Sequence, residues 1–184
     1  MTGVWAVIVA AGKGARMGAK VNKVLLPLRG KPVLWHAVRA FSQSPCVDGI
    51  CVVAAPQERE AVWAAVKDLG KVCAVVDGGQ TRQQSVLRGL HALPEGALWV
   101  MVHDGARPLV GAQLIQACAQ TLLARGSAVA CAPLYDTVKR ARDGRIVETV
   151  DRSVLRAVQT PQCFRVGDLL AAYERAEREG IQVT

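Results

Sequence analysis

The chain has 184 residues, of which 51% are hydrophobic and 21% charged, and it carries a net charge of +8. This length and balance are typical of one globular domain and exclude a disordered chain. No apolar stretch approaches the roughly 20 residues that span a bilayer, so we expect no membrane partner. The six cysteines form no CxxC pair and lie mostly in apolar runs, which favours buried, reduced thiols in a cytoplasmic protein.

The predicted elements alternate between strand and helix along the chain. Val4 to Ala10 is a nearly continuous apolar run, the pattern of a strand covered on both faces, and it leads into a glycine loop rather than a signal cleavage site. Further elements are predicted as helix (32–41), strand (49–56), helix (57–69), strand (71–79), helix (82–93), strand into loop (97–108), helix (112–125), strand (128–133) and final helix (166–179). This order predicts an α/β fold in a single domain over 1–184, with an open, mostly parallel twisted sheet and helices on both faces.

Residues 136–150 break this alternation. Asp143-Gly144 is a strong two-residue hairpin signal with apolar residues on either side. The two strands are charged and too poor in apolar residues to be stable alone in water. We therefore expect a protruding β-hairpin arm, about 136–157 with its flanks, that rests either on its own domain or on a partner subunit.

Basic residues concentrate around the glycine loop that follows the first strand. Seven of them precede the first acidic residue, Asp48: Lys13, Arg16, Lys20, Lys23, Arg29, Lys31 and Arg39. Such a field at a cleft attracts a polyanion, although a solvated basic face is the simpler alternative. The loop fits neither common phosphate pattern, because Met17 replaces the third glycine of GxGxxG and Ala19-Lys20 follow Gly18 where the Walker pattern needs Lys-Ser/Thr.

Other polar residues also follow the carboxyl ends of predicted strands, where ligands bind in open α/β sheets. Gly78-Gly79 follow the third strand, Asp104 and Arg107 the fourth, and Thr137 and Lys139 the strand at 128–133. Asp104 suits a Mg²⁺ ion that bridges to phosphate oxygens, or else caps a turn. No serine or cysteine stands beside His103 as a nucleophile, so we assign it no catalytic role.

Several segments together resemble one family. The stretch "AAGKGARMG" with Lys23 resembles the nucleotide-diphospho-sugar transferase-like nucleotidyltransferases. The segments "DGGQTRQQSV", "VHDGARP", "APLYDTVKR" and "TVDRSVLRAVQTPQCF" resemble the 2-C-methyl-D-erythritol 4-phosphate cytidylyltransferases, and the match covers almost the whole chain in order. The resemblance implies a Rossmann-like fold and a homodimer in which the arm completes the neighbouring active site.

The resemblance also implies a reaction and a set of site residues. A cytidylyl group would pass from CTP to 2-C-methyl-D-erythritol 4-phosphate with release of pyrophosphate, by positioning and charge neutralisation. Carried over by motif, the catalytic residues are Arg16, Lys23 and Arg152. The residues expected to bind CTP are Ala10, Ala11, Gly12, Lys13, Gly14, Gly79, Gln80 and Ser85. Those expected at the methylerythritol phosphate are Thr137, Lys139, Arg152 and Thr160, with Asp104 at the Mg²⁺.

Three features depart from the family pattern. Gln80 stands where Asp or Glu is usual, so the contact with the base is expected to differ. Gly105 replaces the usual alanine, which we expect to matter little. Family members also continue for tens of residues beyond Thr184, through a final strand and a lysine that helps bind the CTP phosphates.

Alternative functions remain open at this point. Ribitol-5-phosphate cytidylyltransferases share much of the pattern, and would differ only in the acceptor. A CTP-binding dimer without turnover is the non-enzymatic alternative, prompted by the missing tail. Nucleic-acid binding is prompted by the pI of about 9.5, but the charge is local and aromatics make up only 4%. We therefore expect no nucleic-acid partner.

Overall fold

The computed structural model describes residues 3–12 and 22–182 and has a six-stranded sheet at its centre. The strands lie in the order β5 (Val72–Asp77), β4 (Gly49–Ala54), β1 (Val4–Val9), β6 (Trp99–Asp104), β10 (Arg156–Arg165) and β7 (Ser127–Pro133). β1, β4, β5 and β6 are parallel, whereas β10 runs antiparallel between β6 and β7. The predicted open, mostly parallel sheet is thus confirmed.

Five helices connect or follow these strands in the described part of the chain, and all five were predicted. They are α1 (Val33–Ser42), α2 (Arg59–Val66), α3 (Arg82–His91), α4 (Ala112–Arg125) and α5 (Val166–Arg178). Short 3₁₀ helices form at Lys23–Leu25, Pro56–Glu58 and Arg152–Val154, and a small hairpin pairs β2 (Pro27–Leu28) with β3 (Lys31–Pro32). No helix within 3–12 and 22–182 combines the length and apolarity that crossing a bilayer requires.

The helices cover both faces of the sheet, as the apolar runs in the strands predict. In β1, the side chains of Val4, Ala6 and Ile8 join a core with α1, α2 and α4, while Val7 joins a second core with α3 and α5. Because side chains alternate along a strand, a strand that is apolar at every position is buried on both faces.

The sequence patterns did not predict β10. Its segment contains Pro161, which favours a loop or an edge strand over an interior one. The structure accommodates the proline at a register shift between Val158 and Gln162 in the pairing with β7. The strand therefore lies inside the sheet and carries Thr160 and Gln162 to the end of β6.

The arm is a β-hairpin, as the Asp-Gly signal predicts. β8 (Val138–Arg142) and β9 (Arg145–Val150) pair only with each other among the described strands. Asp143 and Gly144 both have positive φ angles, of 49° and 75°, which suits the two-residue turn that twists with its strands.

The expectation of buried cysteines is wrong for two of the six. Cys51, Cys118 and Cys163 are buried and Cys46 is half-buried, but Cys73 and Cys131 are exposed. These two lie on β5 and β7, the edge strands of the sheet, which are less fully covered than the central strands. All six are free thiols in this structure.

Candidate active site

A cleft of about 620 Å³ opens where β1, β5 and β6 end. Backbone hydrogen bonds tie the strand exits to their neighbours: Ala10 N donates to Val53 O at 2.7 Å, Gly78 N to Ala54 O at 2.7 Å and Gly105 N to Val9 O at 2.8 Å. The cleft is lined by residues from four separate segments: 9–12, 23–24, 79–85 and 104–107. The predicted convergence is therefore present for the residues that follow β1, β5 and β6, but not for Thr137 and Lys139, which do not line this cleft.

The cleft brings together eight of the predicted site residues. They are Ala10, Ala11, Gly12, Lys23, Gly79, Gln80, Ser85 and Asp104. The predictions for Lys13, Gly14 and Arg16 fall outside the described residues. The binding loop is thus described only at its two ends.

Asn22 anchors the segment that presents Lys23. Its side chain is buried, and its amide nitrogen donates to Ala10 O at 3.2 Å and to the Glu58 carboxylate at 2.7 Å. Its oxygen accepts from Val24 N at 3.3 Å, which caps the 3₁₀ helix that begins at Lys23. Lys23 is therefore an exposed cation on a fixed backbone at the rim of the cleft.

Ser85 organises the turn between β5 and α3. Its hydroxyl donates to Thr81 O at 2.9 Å and accepts from Gly79 N at 3.1 Å. Gln80 N donates to Gln84 Oε1 at 2.9 Å, and Gln80 itself is exposed. These hydrogen bonds fix the backbone of the turn, which can contact a flat ligand such as a nucleobase.

Two arginines hold the carboxylate of Asp104. Arg82 Nε donates to Oδ1 at 3.3 Å and Arg107 Nε donates to Oδ2 at 3.2 Å. A terminal nitrogen of Arg82 also donates to Gln162 Oε1 at 3.0 Å, and its guanidinium meets the hydroxyl of Tyr173, whose pKa is raised by burial. Arg82 is thereby linked to β6, β10 and α5, whereas Arg107 is half exposed beside Asp104.

Arg82 and Arg107 were not assigned roles in the sequence interpretation. Arg82 is the first residue of α3, directly after the Thr81 cap. A cation in the first turn of a helix opposes the helix dipole, and this unfavourable placement was the available signal that a carboxylate lies nearby. Lys23, Arg82 and Arg107 give the cleft an excess of positive charge over Asp104.

His103 is fully buried at the end of β6, against Phe41. Burial lowers its pKa from 6.5 to about 4, so the ring is neutral near pH 7. Nδ1 lies 2.9 Å from Thr160 Oγ1 and Nε2 lies 3.2 Å from Arg107 O. Thr160 is itself buried and its hydroxyl meets Asp104 N at 3.4 Å, so it stands behind the wall of the cleft.

The remaining predicted substrate residues do not line this cleft. Thr137, Lys139 and Arg152 are exposed residues in or beside the arm. Lys139 Nζ donates to Thr149 Oγ1 at 2.6 Å, and a guanidinium nitrogen of Arg152 donates to Tyr135 O. Within one subunit, the arm residues and the cleft residues are therefore separate groups.

The donor set at Asp104 fits a cation only with help from a ligand. Among the described residues, no group of three or more His, Cys, Asp or Glu side chains could hold a metal ion. Asp104 is 32% exposed at the cleft and offers one carboxylate. Mg²⁺ commonly takes one or two carboxylates plus phosphate oxygens and waters, so a bound nucleotide would have to supply the other ligands.

Fold and site together define an α/β nucleotidyltransferase-type protein, with a phosphate-attracting cleft beyond the strand ends. The model of the family "2-C-methyl-D-erythritol 4-phosphate cytidylyltransferase" (IspD) matches residues 4–184. The chain belongs to this family.

Individual relatives carry the same description. The chain is 46% identical over 178 residues to a 2-C-methyl-D-erythritol 4-phosphate cytidylyltransferase from Parasynechococcus marenigrum, covering 96% of this chain and 79% of the relative. It is 43% identical over 188 residues to one from Pelotomaculum thermopropionicum, covering 100% of this chain and 79% of that relative.

A solved structure shares the fold. The crystal structure of 4-diphosphocytidyl-2C-methyl-D-erythritol synthase from Anaerococcus prevotii superposes with a TM-score of 0.84 at 28% identity, covering 98% of this chain and 78% of that one. The similarity in fold thus extends over nearly all of the chain.

Proposed function

We propose that this protein transfers a cytidylyl group from CTP to 2-C-methyl-D-erythritol 4-phosphate. The products are 4-diphosphocytidyl-2-C-methyl-D-erythritol and pyrophosphate, a step of the non-mevalonate route to isoprenoid precursors. The observation that carries this proposal is membership of the family over residues 4–184. The cleft that gathers Ala10, Ala11, Lys23, Gly79 and Asp104 supports it.

In the reaction, a phosphate oxygen of the acceptor attacks the α-phosphorus of CTP. The bond from that phosphorus to the bridging oxygen breaks, and pyrophosphate leaves with the electron pair. This chemistry needs no nucleophile from the protein, in keeping with the burial and full hydrogen bonding of His103. Catalysis then consists of alignment and of neutralising charge on the phosphates.

The residues of the cleft divide these tasks. The backbone at 10–12 approaches the triphosphate, and Lys23 places a cation beside it. The turn of Gly79, Gln80 and Ser85 contacts the cytosine, where a fixed backbone can discriminate between bases by hydrogen bonding. Arg16, like Lys23, would neutralise negative charge on the triphosphate.

Asp104 is the residue that would hold a Mg²⁺ ion together with the nucleotide. When bound, the ion would neutralise negative charge on the phosphates. Arg82 and Arg107 each donate a hydrogen bond to one oxygen of this carboxylate. Arg82 has its own anchor on Gln162, so the orientation of Asp104 is determined by the protein itself.

A homodimer supplies the arm residues to this cleft. The arm and its flanks expose three large apolar or aromatic side chains: Tyr135 at 80%, Ile146 at 68% and Val154 at 75%. An exposed apolar surface of this kind is typical of a protein–protein interface. Thr137, Lys139 and Arg152 lie there too, and in the dimer they would contact the acceptor phosphate bound by the other subunit. The reduced thiols and soluble substrates suit a cytoplasmic location.

The test is release of pyrophosphate from CTP with a panel of polyol phosphates, with and without Mg²⁺. Turnover with 2-C-methyl-D-erythritol 4-phosphate, and much less with ribitol 5-phosphate, is the expected result. Preference for ribitol 5-phosphate would reject the acceptor. Binding of CTP by calorimetry with no turnover of any acceptor would reject the enzymatic function.

A further inference from the structure

The turn at the end of β6 is held at both of its ends by buried groups. It begins at Asp104, whose backbone N meets Thr160 Oγ1 at 3.4 Å, and it ends at Arg107, whose carbonyl oxygen lies 3.2 Å from His103 Nε2. His103 connects these two contacts, because its Nδ1 lies 2.9 Å from Thr160 Oγ1. Within the turn, Arg107 N donates to Asp104 O at 3.0 Å.

The direction of these hydrogen bonds follows from their partners. The carbonyl of Arg107 can only accept, so His103 Nε2 carries the proton and donates. In the neutral ring Nδ1 then accepts from the Thr160 hydroxyl, whose oxygen is left to accept from Asp104 N. One ring thus links β10, the end of β6 and the far end of the turn.

The side chains on this turn are those that face the cleft. Asp104 and Arg107 are paired at 3.2 Å and both line it, whereas His103 and Thr160 are buried behind them. We propose that His103 is a positioning residue for the transfer reaction: by holding both ends of the 104–107 turn, it fixes the direction in which Asp104 and Arg107 meet the substrates. This inference rests on the proposed function, because it concerns the same cleft.

Three substitutions separate the two hydrogen bonds of the ring. His103→Phe keeps a planar ring against Phe41 and removes both. His103→Asn can place an amide oxygen near the position of Nδ1 and keep the Thr160 bond. His103→Gln can place an amide N–H near the position of Nε2 and keep the Arg107 bond. We expect His103→Phe to lower kcat/KM by about 10- to 100-fold, the range seen when outer hydrogen bonds around a site are lost, with Asn and Gln intermediate.

A double-mutant cycle distinguishes positioning from general support of the fold. If His103 acts through Asp104 and Arg107, His103→Phe should lower kcat/KM by a smaller factor in the Asp104→Asn background than in the wild type, because coupled residues are not additive. Full multiplication of the two effects would overturn the proposal. So would a folded His103→Phe variant with wild-type kcat/KM.

Two controls keep the outcome clear. Circular dichroism and thermal melting establish that each variant is folded at the assay temperature. If His103→Phe does not fold, the Asn and Gln variants decide, and wild-type kcat/KM in both would overturn the proposal. A wild-type protein without cytidylyl transfer rejects the proposed function, whereas an active wild type with insensitive His103 variants rejects only this inference.

Discussion

Asn22 and Glu58 join two segments that are far apart in the sequence, with the amide nitrogen of Asn22 2.7 Å from the Glu58 carboxylate. The same nitrogen donates to Ala10 O at 3.2 Å. The buried Asn22 amide therefore ties the segment that carries Lys23 to the end of β1 and to the start of α2. Because a buried amide without partners costs free energy, this arrangement specifies where Lys23 stands.

The first prediction concerns this pair. Asn22→Asp would set two carboxylates against each other, and we expect a loss of about 2–4 kcal/mol in the free energy of unfolding, measured by urea denaturation at pH 7. The double variant Asn22→Asp with Glu58→Gln should recover part of the loss, because the glutamine amide can donate to the introduced carboxylate. Equal stability of both variants would contradict this account.

The second prediction concerns Lys23 itself. Lys23→Ala should reduce kcat by a factor on the order of 10²–10³, by analogy with the loss of one preorganised donor at a developing charge. Lys23→Arg retains the charge and is the matched control, with a smaller loss expected. Steady-state release of pyrophosphate gives the measurement, and full activity in Lys23→Ala would remove this residue from the mechanism.

The third prediction concerns pH and His103. Its pKa in the folded state is about 4, below the ordinary value of 6.5, mainly because burial disfavours the charged ring. The unfolded chain therefore binds a proton before the folded one does as the pH falls. Stability from this group is complete above pH 6.5, falls between pH 6.5 and 4 by up to about 3 kcal/mol, and then levels off.

Denaturation curves over this pH range for wild type and His103→Phe measure that contribution. The variant should lose less stability than the wild type between pH 6.5 and 4, by the amount that His103 contributes. Parallel curves for the two proteins would show that the ring does not titrate in this way.

The fourth prediction concerns the arm. Ile146→Asp places a charge in the exposed apolar surface of the hairpin, and we expect the dissociation constant of the proposed dimer to rise at least about tenfold, as for a residue central to an interface. Sedimentation equilibrium measures the change. Leu123→Asp, on α4 and also exposed, is the matched control and should leave the proposed dimer intact.

Activity provides a second measurement for the arm. If Thr137, Lys139 and Arg152 bind substrate in the partner's cleft, the activity of Ile146→Asp should fall as the fraction of dimer falls. It should return at high protein concentration, where the dimer forms again. A fully active monomer would contradict the shared site.

The fifth prediction concerns the close approach of Gly78 to Ala11, a residue that lines the cleft. A Cβ atom at this position would lie 2.3 Å from the Cβ of Ala11 and 3.2 Å from Ala54 O. Gly78→Ala should therefore cost about 1–3 kcal/mol of stability by overpacking and weaken CTP binding in calorimetry. Gly96→Ala has open space around it and is the control. Wild-type CTP affinity in Gly78→Ala would show that the cleft accommodates the added methyl group.

Much of the fold could be predicted from local patterns. Unbroken apolar runs indicated strands buried on both faces, helical spacing indicated the five helices, and Asp143-Gly144 indicated the hairpin. Each of these signals arises within one segment, from side-chain period or backbone preference. β10 was missed for the opposite reason: Pro161 weakens its local strand pattern, and only its neighbours β6 and β7 hold it in the sheet.

The candidate site divides in the same way. The cleft residues that follow strands could be predicted from the sequence, since parallel strands bring their carboxyl ends to one rim, and the motif resemblance supplied their expected roles. Three features became visible in the folded chain alone: Arg82 donates to both Asp104 and Gln162, His103 contacts Thr160 and Arg107, and the arm residues lie apart from the cleft of their own chain. The Arg82–Gln162 and His103–Thr160 hydrogen bonds join residues 80 and 57 positions apart in the sequence. Which side chains meet there depends on strand order and packing, which no local pattern encodes.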